Sequence, residues 1–420
     1  MAAVASAIPI EPIYNMDKLS YEIFSILESK FLFGCDDSPR LSPSAKNLPV
    51  AVSGGGGRVR ILSIDAGGST DGLLAGMSLR HLETALQKRS GYPDVRIADF
   101  FDVAAGSGAG GVLAALLFTS GPEGRPIFTA DEALRFLAEN RGSRRKGIFG
   151  KLFRTRGDKN GRIFRRIFGD STLKDALKPL LIPCYDLSTG APFVFSRADA
   201  VETDGFNFRV REVCEATAAE GGRRKGTAVV ARSVDGRTEV LAADGGGVAV
   251  GNPTAAAITH VLNNGHEFPL ANAVDDLLVA SIGNGECDGW RRAEDFVRIA
   301  GDGVSDMVDQ AVSMAFGQNR TSNYVRIQGN NACGSPHSIK NSSSIDTEKL
   351  MRAAEEMLTQ KNVESVLFRG KKVAEKTNTE KLEWLAGELV EERERRMACA
   401  GLPVVVLKQA SPRSSSSSTC

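Results

Sequence analysis

Three glycine-rich turns, each set directly behind a short apolar run, constrain this chain of 420 residues more than any other feature. The first is Ile64-Asp65-Ala66-Gly67-Gly68-Ser69-Thr70-Asp71-Gly72, which follows the β-branched run 59–64 and precedes helically spaced apolar residues over 73–86. The second is Phe101-Asp102-Val103-Ala104-Ala105-Gly106-Ser107-Gly108-Ala109-Gly110-Gly111, between a buried-strand pattern at 100–105 and an apolar helix start at 111–118. The third is Asp244-Gly245-Gly246-Gly247, followed by Val250-Gly251-Asn252-Pro253. Further runs at 180–183, 193–196 and 277–282 read as strands. Strands that turn on glycine into helices predict a mostly parallel sheet covered by helices on both faces.

Each turn suits more than one purpose. A glycine turn at a helix N-terminus aims several backbone N–H groups at one spot and suits a phosphate or an oxyanion, but a tight β–α connection also needs glycine. In the second turn, Gly106, Gly108 and Gly111 match the dinucleotide fingerprint G-x-G-x-x-G. From Gly106 to Gly110 the same stretch matches the nucleophile elbow G-x-S-x-G, with Gly108 in the place of the central serine. The dinucleotide reading asks for an acid ~20 residues further on. The nearest candidate, Glu123, follows Pro122 in what reads as a loop. In the third turn, Asp244 is placed to act as a base at a strand end, or to form an ordinary Asx turn.

The order of the three turns resembles the patatin family of lipid acyl hydrolases, whose catalytic pair is serine and aspartate without histidine. The segments LSIDAGG, FDVAAGSGAGG, LLIPCYDLSTGAPFVFS, VREVCEAT and LAADGGGVAVGNP carry the resemblance, and none of the four histidines (His81, His260, His266, His337) falls in the three turns. It covers 58–265, and more loosely reaches 282, and is nearest to the plant subgroup in which glycine replaces the nucleophile. The resemblance implies a three-layer α/β/α fold and hydrolysis of acyl esters in membrane phospholipids and galactolipids, with no metal or organic cofactor. It assigns the oxyanion hole to Gly67 and Gly68 with Ser69, the elbow glycines to Gly106, Gly110 and Gly111, the base to Asp244 and the nucleophile position to Gly108.

Three departures bear on activity. Gly108 has no side chain to form an acyl-enzyme, and Ser107 is the one adjacent substitute nucleophile, displaced by a residue on a sharp turn. Asp71 stands before Gly72 where the family carries Arg or Lys, so a cation for the developing charge is missing. After Thr217 the chain reads AAEGGRRKG in place of an apolar, proline-containing stretch. These departures leave two readings open: a weak hydrolase, and an inactive member that binds lipid or protein through the scaffold.

Around this core the sequence divides as follows. Residues 1–57 hold an amphipathic helix at 17–34 and a Gly/Ser-rich linker; 58–282 form the acyl hydrolase domain; 283–410 read as a largely helical extension packed on it, with helices at 347–358 and 380–397; 411–420 form a Ser-rich disordered tail. An insertion at 141–166 holds eleven Lys or Arg against the single acid Asp158. Its Arg144, Arg145, Lys146, Phe149, Lys151 and Phe153, with Ile163 and Phe164 further on, interleave charge and apolar bulk in a way that suits an anionic membrane surface. A solvated loop is the plain alternative.

Composition narrows the partners. A net charge of +1 argues against a globally basic nucleic-acid binder. Seven scattered cysteines without a C-x-x-C pair argue against a zinc site or a disulfide framework and point to a reducing, cytoplasmic compartment. The first residues lack a basic n-region and meet Glu11 early, so no secretory signal is read, and no run reaches the ~18 apolar residues of a membrane span. Membrane contact is therefore expected to be peripheral.

Overall fold

A computed structural model describes residues 57–66, 72–140, 160–219, 229–243, 250–283, 296–317, 320–328, 347–365, 372–398 and 403–408. All of them fall within the unit Gly55–Cys420. The N-terminal helix at 17–34, the linker and the Ser-rich tail lie outside the described residues.

The elements run β1 (Val59–Ala66), α1 (Leu73–Ser90), β2 (Val103–Gly108), α2 (Ala109–Phe118), α3 (Ala130–Asn140), α4 (Asn160–Phe168), β3 (Leu180–Asp186), β4 (Ala191–Ser196) and α5 (Arg197–Glu202). They continue with α6 (Val210–Thr217), β5 (Val229–Arg232), β6 (Glu239–Ala243), α7 (Thr254–Asn263), β7 (Leu277–Ile282), α8 (Phe296–Phe316), α9 (Arg320–Asn323) and β8 (Tyr324–Ile327). The last are α10 (Thr347–Thr359), β9 (Lys361–Ser365), β10 (Lys372–Thr377) and α11 (Asn378–Ala398). The main sheet has the order β5-β6-β3-β2-β1-β7-β8, with β4 paired to β3, and β9 and β10 form a separate hairpin. Strands β3, β2, β1, β7 and β8 run parallel; β4, β5 and β6 supply the antiparallel pairs.

Period-two alternation decides the layers. Leu62, Ile64, Ala104, Leu278 and Ala280 point to one face, under α1, α2, α3 and α11. Val59, Ile61, Val103, Ala105, Leu277 and Val279 point to the other, under α7 and α8. Burial on both faces is why these strands read as continuous apolar runs. The result is the three-layer α/β/α arrangement that the sequence predicts.

Differences from the sequence reading have local causes. The strand expected from 100 begins at Val103, because the amides of Phe100 and Phe101 are taken by the Ile97 carbonyl in a 3-10 turn; the Asp102 carboxylate then accepts the Arg60 amide and guanidinium. Burial would raise the pKa of Asp102, but Arg60 and Arg396 hold it down to about 2. Through Arg396, α11 is thus bonded to the start of β2, and also to the Arg58 carbonyl before β1. The sheet also continues past Ile282: β8 extends it beyond β7, so a strand from the C-terminal part completes the layer. Residues 160–166, read as the end of a lipid-facing insertion, belong to α4, whose Phe164 is buried with its ring 6.5 Å from Phe136 and 6.1 Å from Phe168. That aromatic ring serves the core and not a membrane. Arg144, Arg145, Lys146, Phe149, Lys151 and Phe153 lie outside the described residues. No helix among the described residues is long and apolar enough to cross a membrane.

Candidate active site

The elbow is built by close backbone approach. β2 ends at Gly108 with φ 57° and ψ −126°, and α2 begins at the next residue. An L side chain in that conformation is strained, which is the geometry of a nucleophile elbow. A Cβ on Gly106 would stand 2.3 Å from the Gly110 carbonyl oxygen, and one on Gly110 would stand 2.1 Å from the carbonyl oxygen of Ile64. Glycine at 106 therefore lets α2 fold back tightly on β2, and glycine at 110 lets it press against Ile64 of β1. Ala66 pairs with Gly108 and Asp65 with Ser107 across the parallel ladder.

Ser107 is fully buried and its hydroxyl donates to the Gly251 carbonyl at 2.8 Å. The substitute-nucleophile role expected of it does not suit this position, because the hydroxyl is shut off from solvent and directed at a main-chain acceptor. Its bond does something else: it ties the elbow to the segment Gly251-Asn252-Pro253, which follows the Asp244 turn in the chain. The Gly108 amide, in turn, donates to Thr217 at the end of α6. Cys184 on β3 offers no replacement nucleophile: burial and then Asp186 push its thiol up to about 12, so it stays protonated at neutral pH.

Beside the elbow lies a buried polar network that the sequence reading missed. Ser63, Ser281 and Arg326 stand in one row across β1, β7 and β8. Thr254, the first residue of α7, donates to Ser63 Oγ at 2.8 Å and lies 2.9 Å from Ser281 Oγ, while its amide donates to Asn252 Oδ1 at 3.0 Å. Arg326 donates to both carboxylate oxygens of Asp65, at 2.5 and 2.8 Å, and to Ser281 Oγ at 2.8 Å. Burial opposes the charge on Arg326, but Asp65 raises its pKa above the ordinary arginine value, so the guanidinium stays charged.

The exit of β1, the elbow and the segment 250–254 are therefore joined by direct hydrogen bonds. Gly67, Gly68, Ser69 and Asp71 of the first turn, Asp244 with Gly245, Gly246 and Gly247 of the third, and the stretch 220–228 lie outside the described residues. β6 brings the chain to Ala243, paired with Tyr185 on β3, the strand beside β2. Glu123, which the dinucleotide reading needed at a strand end, lies in an exposed turn after α2, and that reading finds no support.

A mostly parallel sheet under helices on both faces, with a glycine-packed strand-to-helix elbow at Gly108, defines a three-layer α/β/α scaffold. The family model described as patatin-like phospholipase matches residues 62–258. Patatin-like protein 6 of Arabidopsis thaliana is 48% identical, over 96% of this chain and 89% of its own. Patatin-like protein 3 of Oryza sativa subsp. japonica is 52% identical, over 90% and 92%. A third relative, 42% identical over 90% and 93%, bears the name "Probable inactive patatin-like protein 9" in Arabidopsis thaliana. The chain belongs to the patatin-like phospholipase family, a family of lipid hydrolases.

Proposed function

We propose that this protein is a slow lipid acyl hydrolase that releases fatty acids from membrane phospholipids and galactolipids by direct attack of water. Asp244 takes a proton from a water held in the space left by Gly108, and the oxygen of that water adds to the ester carbonyl. Backbone N–H groups of Gly67 and Gly68, with Ser69, hold the oxyanion. The tetrahedral intermediate then expels the alcohol, which leaves with the proton from Asp244. The observation that carries this reading is the bond from Ser107 to the Gly251 carbonyl, because it fastens the segment behind the Asp244 turn to the elbow. Losing a nucleophile costs ~10⁶ in turnover, while an oxyanion hole and substrate binding leave ~10³–10⁴ over water.

The reaction takes place at an anionic membrane surface, which the protein meets peripherally from the cytoplasm through the basic insertion. α3, from which the insertion leaves, ends near the start of α1: a Cβ on Gly72 would lie 3.1 Å from Leu137 Cδ1, three residues before Asn140. The insertion follows directly.

Direct attack is tested by quenching the protein during turnover of a soluble ester and weighing it. No acyl adduct is expected on the native chain, whereas Gly108→Ser is expected to carry one. An adduct on the native chain would overturn the water mechanism.

A second reading, an inactive lipid-binding module, is favoured by Gly108 itself and by the printed name of one relative. It predicts lipid binding with no fatty acid released.

A further inference from the structure

We propose that Arg326 is a positioning residue for this site: delivered by β8, its guanidinium fixes the exit of β1 through Asp65 and ties that exit to the segment behind the third turn through Ser281. The inference rests on the hydrolase reading above and names a residue outside the three motifs.

The geometry gives Arg326 two routes to the elbow. In the first, its paired N–H groups grip the Asp65 carboxylate from both oxygens, and the next residue, Ala66, pairs with Gly108. In the second, it donates to Ser281, which shares the Thr254 hydroxyl with Ser63; the Thr254 amide holds Asn252, and the neighbouring Gly251 accepts the Ser107 hydroxyl. Both routes are buried, with Asp65 at 6% and Arg326 at 5% exposure, so water cannot substitute for a lost partner.

The arginine is itself held from behind. Its Nε donates to Gln328 at 3.2 Å and lies 3.8 Å from Asp309, whose carboxylate also accepts the Tyr324 hydroxyl at 2.5 Å. Its carbonyl accepts from Asn362 at 2.6 Å, and Asn362 also donates to Asn378, the first residue of α11. The part of the chain after β7 thus reaches the site through a side chain separated from its partner by 261 positions. Planarity matters here: a lysine keeps the charge but cannot bond both oxygens of Asp65 and Ser281 in one plane.

The test is Arg326→Lys in the native chain and in Gly108→Ser, read by steady-state hydrolysis of 4-nitrophenyl butyrate, thermal melting, and hydrogen exchange in peptides covering 61–66 and 103–112. The expected result is a folded protein whose kcat falls by about 10- to 100-fold at unchanged KM, the size of loss that small misplacements cause. Exchange should accelerate in those two peptides, while α3 and α4, which touch neither route, keep the native rate. A folded variant with native kcat and native exchange would overturn the inference. If Arg326→Lys does not fold, Ser281→Ala replaces it: a kcat loss at unchanged KM sustains the second route, and native kcat refutes it. If neither background hydrolyses the ester, the hydrolase reading fails by itself. The exchange result then decides: local acceleration upholds the positioning role and unchanged exchange rejects it.

Discussion

The Gly108 amide donates to Thr217 Oγ1 at 3.0 Å, and the same hydroxyl donates to the Pro183 carbonyl at 2.7 Å. One buried threonine thereby joins the elbow, the end of α6 and β3. Because the Gly108 N–H is spent on this bond, it is not free to hold an oxyanion. Thr217→Val removes the acceptor and leaves a buried amide unpaired, at an expected cost of about 1–3 kcal/mol in denaturant unfolding. Thr217→Ser keeps the hydroxyl and should lose much less. Equal losses in the two variants would show that the methyl packing, not the hydrogen bond, is what matters.

Gly108→Ser should trade stability for turnover. Its φ of 57° with ψ −126° is strained for any L residue. The substitution should therefore cost about 1–3 kcal/mol. The restored hydroxyl should raise fatty-acid release by about 10²-fold or more, well short of the ~10⁶ a complete nucleophile is worth. A melting scan and an ester assay on the same preparation check both halves.

The buried pair of Asp65 and Arg326 predicts non-additive stability. Arg326→Met leaves the Asp65 and Asp309 carboxylates buried without their cation, at an expected loss of about 3–5 kcal/mol. The double variant Asp65→Leu with Arg326→Leu should lose less than Arg326→Met alone. A double variant as unstable as the sum of the single changes would refute coupling between the two residues.

Much of this was legible in the sequence, because glycine and alternation speak locally. The runs before the turns gave β1, β2 and the helices behind them, and apolar spacing located α1, β3, β4 and β7; of these β7 has the extent read, while α1 runs on to Ser90, β3 to Asp186 and β4 starts at Ala191. What the sequence withheld was contact between distant segments. Nothing near Arg326 announces an aspartate in β1, and a four-residue strand in a charged, helix-rich region carries too short a period to read. Ser107 illustrates the same limit: its place in the motif suggested chemistry, while its environment, visible only in three dimensions, makes it a tether. Phe164 read as lipid-facing because its arginine neighbours dominate the pattern, yet α4 turns those arginines outward and the ring inward.

Glu215 on α6 supplies a pH dependence. Burial, and then Glu212, raise its pKa from 4.5 to about 7. Between those values the folded chain keeps a proton that the unfolded chain has released, so this residue's contribution to stability falls as pH rises from about 4.5 to 7. The melting temperature of the native chain relative to Glu215→Gln should therefore drop across that interval and level off above it. A constant difference across the interval would contradict the assignment.

Fatty-acid release from mixed phospholipid and galactolipid vesicles, compared between the native chain and Asp244→Ala, tests the central claim most directly. The account predicts slow release by the native chain and none above the buffer rate from Asp244→Ala, with both proteins equally folded and equally bound to the vesicles. Release that persists unchanged without the Asp244 carboxylate would contradict it.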